Sequence, residues 1–141
     1  MLDAARFLDA QADSYAAAFV EISAGRKRSH WMWFVFPQIS GLGRSATAQR
    51  CAIASIGVAR EYLAHPVLGL RLRECVAALQ DLPPTSAVDV FGPVDAMKLR
   101  SSLTLFIQAG AGLPFEAALA RWFGGEVDAV TLTILNQQLA A

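Results

Sequence analysis

Two stretches of this sequence hold side chains of the types that bind or process an anion. The first reads Gly25-Arg-Lys-Arg-Ser-His-Trp-Met-Trp-Phe-Val-Phe-Pro-Gln38 and resumes at Gly41-Leu-Gly-Arg-Ser45. Lys27 and Arg44 offer cations, and Trp31 and Trp33 offer ring faces for stacking. Gly43, Arg44 and Ser45 precede a helical pattern, and a helix N-terminus attracts negative charge. Ser45 also reads as that helix's cap, with Arg44 merely solvated. The run Gly41–Ala46 matches a dinucleotide-binding glycine pattern, but that motif needs a regular strand before it and a βαβ unit around it. Pro37 interrupts the only strand candidate and no second strand follows, so the pattern is set aside. His30 is either a proton donor and acceptor beside the basic cluster or a capping or core histidine. The two histidines, His30 and His65, are isolated and make no case for a metal.

The second stretch is Asp95-Ala-Met-Lys98-Leu-Arg-Ser101-Ser102-Leu-Thr104-Leu-Phe106. At a helical step, Asp95, Lys98 and Ser102 fall within about 60° of one another. Leu99 and Phe106 share that side, so Lys98 borders the apolar face. A half-buried lysine beside an aspartate is a structural ion pair, a ligand contact or a tuned reactive group. Ser101 and Thr104 add hydroxyls. A Ser102, His30 and Asp95 triad can be drawn, yet no nucleophile-elbow motif supports it.

The charge pattern sharpens the first stretch. The chain of 141 residues balances 12 basic against 12 acidic side chains. Between Glu21 and Glu61 there is no acid, while Arg26, Lys27, Arg28, Arg44, Arg50 and Arg60 give that interval +6. Each flanking interval carries −3, so a neutral protein has one anion-facing segment. Overall neutrality argues against a polyanion-coating protein, which makes nucleic acid the weakest partner. No apolar run nears the roughly 18 residues of a membrane span. The N-terminus carries acids where a secretory signal needs bases. Cys51 and Cys75 lack metal or redox spacing, which fits a cytoplasmic protein.

The elements that must position these residues read as helices nearly throughout. Residues 3–24 place Phe7, Leu8, Gln11, Tyr15, Ala18, Phe19 and Ile22 on one arc of a single amphipathic helix ended by Gly25. Further helices are predicted over 46–64 and 67–80, then from Pro93 to about Ala109, from Pro114 to Gly124, and from Asp128 to Leu139. Ser86 caps a short turn over Ala87–Phe91. Residues 31–36 are short and apolar, and either a strand or a buried helical turn satisfies them. The expectation is an all-α fold, one compact domain of about six helices spanning residues 1–141.

The runs GRKRSHWMWFVFPQ, GLGRS, EYLAHPVLGLRL, FGPVDAMKLRSSLTLF and GGEVDAVTLTIL, with the opening RFLDAQ, resemble the bacterial and fungal domain-of-unknown-function family 1810. The likeness covers nearly the whole chain in order. It departs at Leu103, where methionine is common, and at Cys51, where tyrosine is expected. The resemblance implies a compact helical fold and no stated reaction. It implies that the characteristic polar positions here are Lys27, His30, Gln38, Ser45, His65, Asp95, Lys98, Ser101, Ser102 and Thr104. Two functions remain open. One is a site for a small anionic ligand, phosphorylated or nucleotide-like, serving a hydrolase or transferase that needs no metal or redox cofactor if it is an enzyme. In that site Lys27, Arg44 and Lys98 bind the anion, Trp31 or Trp33 stacks, and His30, Asp95 and Ser102 move protons. The other is a helical module docking an acidic protein partner through exposed aromatics.

Overall fold

The computed structural model describes residues 1–43 and 45–140. These hold nine helices: α1 Ala4–Ala12, α2 Tyr15–Ser23, α3 Met32–Val35, α4 Ala46–Arg50, α5 Ile56–Ala64, α6 Leu68–Gln80, α7 Ala87–Gln108, α8 Leu113–Phe123 and α9 Ala129–Ala140. The all-helical expectation stands, but the count of six is corrected. The predicted helix over 3–24 breaks at Asp13 and Ser14. The Ser14 hydroxyl donates back to the Ala10 carbonyl at 2.7 Å, a local bond that competes with helix continuation. The predicted helix over 46–64 is two helices. Between them Ile53 forms an isolated parallel bridge with Ile39, its N–H donating to the Gln38 carbonyl at 2.8 Å. Ser45 caps α4 by accepting from the Ala48 N–H, and Ser55 caps α5 by accepting from the Val58 N–H.

Residues 31–36 resolve as a helical turn, α3. Helix α7 is the central element, packing against α3, α5, α8 and α9, while α6 packs against α1, α2, α5 and α8. It kinks at Gly92, whose φ of 81° only glycine adopts readily, and Pro93 starts the second half. The short turn capped by Ser86 and the longer helix after it are therefore read correctly from sequence. The core is aromatic. Trp31, Tyr62, Phe7, Phe36, Phe106 and Phe115 are fully buried. Phe7 meets Tyr62 edge-on at 5.3 Å, and Tyr62 meets Phe106 at 5.4 Å. Such ring pairs stabilise a core beyond their buried area. Among the described residues, no helix is long and apolar enough to cross a membrane.

Candidate functional site

The extended segment after α2 is held against α7 by backbone and side chain together. The Lys27 N–H donates to the Val90 carbonyl at 2.8 Å, just before the Gly92 kink. The Lys27 ammonium then bonds Asp95 Oδ2 at 2.8 Å and the Ser29 carbonyl at 2.7 Å. Its third direction faces the Trp31 ring, 5.2 Å from the centroid. An ammonium has three donors, so Lys27 is spent within the fold, and its side chain is only 9% exposed. Lys27 faces Asp95, Ser29 and Trp31 and does not line the cleft that Lys98 borders.

Asp95 joins Lys27 to Lys98. Its Oδ1 lies 3.2 Å from the Lys98 ammonium, one helical turn along α7. Burial pushes the Asp95 carboxyl up, but the hydrogen bonds and charges of Lys27 and Lys98 outweigh it and hold the group below its usual range. Both Asp95 oxygens are thus turned toward the two ammoniums. Lys98 also sits over Trp33, 3.9 Å from the ring centroid. That contact covers one face of Trp33. Two ammoniums share one carboxylate, and among the described residues neither has another within 4 Å. The cluster therefore carries one surplus positive charge.

Lys98 opens onto a cleft of about 280 Å³. Ser101 and Lys98 line it from α7, Trp33 and Gln38 from the aromatic segment, and Gly43 and Leu42 from the turn before α4. Exposed Val94, Met97 and Val130 form its rim, and Asp128 closes one side. Five of the residues singled out from sequence thus meet here: Trp33, Gln38, Gly43, Lys98 and Ser101. Gly43 has a packing reason as well, since a Cβ there would stand 2.4 Å from the Ala48 Cβ. Two other depressions are larger, near Phe19 and Glu74 and near Asp3 and Arg50. Neither includes a residue of this set.

The remaining expectations are redistributed. Trp31 is fully buried, with its indole N–H donated to Glu21 at 3.0 Å, so it cannot stack a ligand. Glu21 also accepts from the Arg28 and Ser29 N–H groups and the Ser29 hydroxyl. Burial opposes its ionised form, yet these four donors pull its pKa down to about 2. Ser102 is 1% exposed, its hydroxyl without a partner among the described residues, and it bonds neither His30 nor Asp95. His30 is exposed and does not line the cleft. No Ser-His-Asp relay is assembled. Ser45 is spent as the α4 cap. Thr104 is fully buried, donating to the Arg100 carbonyl and accepting the Asp128 N–H at 2.9 Å. The expectation for Arg44 lies outside the described residues. His65 is the C-cap of α5, its N–H donating to the Glu61 and Tyr62 carbonyls, and its Nδ1 also accepts from the Val67 and Leu68 N–H groups at the start of α6. Cys51 and Cys75 are buried free thiols, and burial pushes Cys75 up to about 12.

Sequence reasoning missed Asp128 as a cleft residue. The Asp128-x-x-Thr131 spacing marks it as a helix cap, but its place in the cleft lining follows from the Thr104 bond that seats the start of α9 on α7. The fold and site together define an all-helical domain with a charged cleft on its central helix. The chain belongs to the family described as a protein of unknown function, DUF1810, whose model matches residues 1–135. It is 46% identical to the conserved hypothetical protein Rv1873 from Mycobacterium tuberculosis, over 96% of this chain and 97% of that one. The crystal structure of that protein superposes with a TM-score of 0.94. No curated protein matches the chain.

Proposed function

We propose that the cleft beside Lys98 binds a small anionic molecule, a phosphorylated compound with an apolar or planar body. The observation that carries this reading is the unbalanced charge. Asp95 cannot neutralise Lys27 and Lys98 at once, and Lys98 is the member that lines the cleft. Its ammonium keeps one N–H beyond those facing Asp95 and Trp33. Leu42, Val94 and Val130 give the ligand an apolar wall, while Gln38 and Ser101 add polar contacts at fixed positions. The volume suits one small ring with its phosphate better than a whole dinucleotide. None of the three proton carriers read from sequence lines the cleft: His30 is outside it, Asp95 is occupied by Lys27 and Lys98, and Ser102 is buried. Binding is therefore the function favoured. A thermal-shift titration with inorganic phosphate, phenyl phosphate and adenosine monophosphate tests it. Phenyl phosphate should raise the melting temperature in wild type and fail to do so in Lys98→Ala. Equal stabilisation of both proteins would move the site elsewhere.

A second reading, docking of an acidic partner, is favoured by Arg26 and Arg28. Both are exposed and have no carboxylate within 4 Å among the described residues. The burial of Trp31 removes its central aromatic anchor. Binding of a polyglutamate peptide at low salt, lost in an Arg26→Ala, Arg28→Ala double variant, would support it.

A further inference from the structure

We infer that the ligand of this cleft carries a protonated amine as well as its anionic group, and that Asp128 receives the amine. The inference rests on the reading above, that Lys98 takes the anion. Lys98 reaches the cleft from α7 and Asp128 from the start of α9. The two oxygens of Asp128 are unequal. Oδ2 accepts from the Thr131 N–H at 3.1 Å and the Thr131 hydroxyl at 2.5 Å, so it is spent on capping α9. Oδ1 accepts no hydrogen bond among the described residues. Its nearest cation, Nη2 of Arg100, stands 3.9 Å away, and Arg100 also faces Glu126 at 3.8 Å.

The Asp128 side chain is 12% exposed and lines the cleft, so this unbonded oxygen can be reached from the cleft side. A carboxylate oxygen without a protein donor has an open acceptor position, and a charged donor makes the strongest hydrogen bond to it. It also repels a second anionic group that reaches it, which selects against dianions of the same length. The cleft lining thus combines a cation, Lys98, apolar side chains including Leu42 and Trp33, and a carboxylate, Asp128. That pattern matches a zwitterion: an aminated phosphate or carboxylate with a short apolar spacer.

Isothermal titration of the full chain tests this with 4-methylphenyl phosphate, with 4-(aminomethyl)phenyl phosphate and its 3-isomer, and with the two N-acetylated amines. At least one amine should bind wild type roughly tenfold tighter than the methyl compound, the low end for a hydrogen bond between charged groups. The gain should vanish on acetylation and in Asp128→Asn, which keeps a capping side chain for α9. If the methyl compound binds and neither amine gains, the assignment of Asp128 is overturned while the anion site stands. If the methyl compound does not bind wild type, both readings fall. Acetylation acts on wild type alone, so it decides the matter even if the variant does not fold.

Discussion

Replacing Asp95 with Asn removes the charge that ties the segment after α2 to α7. The side chain stays nearly isosteric, but the two ammoniums lose their shared counter-ion. The Lys27, Lys98 and Asp95 side chains are 9%, 18% and 19% exposed, so the cluster is neither a surface pair nor a dry one. Exposed pairs contribute about 0–1 kcal/mol, and breaking a buried pair costs about 3–5 kcal/mol. With two pairs lost at intermediate burial, the loss should be about 2–4 kcal/mol at neutral pH. For a domain of this size that lowers the melting temperature by roughly 6–12 °C. The pH dependence carries a sign. The folded Asp95 carboxyl is held below its usual range, so its contribution is complete above the unfolded value and is lost as pH falls through the folded one. Urea unfolding of wild type and Asp95→Asn from pH 7 to pH 3 measures this. The difference should stay constant down to the ordinary carboxylate range and shrink only below it. A loss under about 0.5 kcal/mol at pH 7, the level of an exposed pair, would refute the claim that this carboxylate fastens the segment.

Four further outcomes follow from the same geometry. Glu21→Gln should destabilise the protein at pH 7 because four donors converge on that carboxylate, and the difference from wild type should fade as pH drops from about 4.5 toward about 2, followed by denaturant unfolding. Gly43→Ala should cost about 1–3 kcal/mol by driving a methyl into Ala48, and should weaken phenyl phosphate binding as the turn shifts, read by calorimetry of both unfolding and binding. Arg121→Ala should cost about 2 kcal/mol, since its guanidinium bonds the Leu79, Gln80, Leu82 and Pro83 carbonyls at the end of α6; unchanged thermal stability would contradict it. His30→Ala should leave phenyl phosphate affinity within about twofold of wild type, as expected of an exposed side chain outside the contact.

How much of this was legible in the sequence depends on distance along the chain. The Asp95 and Lys98 pair sits one turn apart, so helical spacing alone announces it. That Lys27 completes the cluster was not legible as a contact, because only the docking of the segment after α2 onto Val90 brings it there. Trp31 and Trp33 illustrate the limit of pattern reading. In a short apolar run, periodicity cannot say which ring faces in. Glu21 decides it by accepting the Trp31 N–H, and Trp33 is left beside Lys98. The breaks in the long predicted helices at Ser14 and Ile53 come from a side-chain bond and a non-local bridge, neither of which amphipathic projection registers. Thr104 was singled out for its hydroxyl, and its hydroxyl does matter, but as the acceptor that seats Asp128.

The central claim is that Lys98 presents an unbalanced positive charge to an apolar cleft. Amide and side-chain NMR shifts during a phenyl phosphate titration test it most directly. Saturable shifts should centre on Trp33, Gln38, Lys98 and Ser101, disappear in Lys98→Met, and persist in His30→Ala. Shifts centred on Arg26 and Arg28, or saturation retained in Lys98→Met, would contradict it.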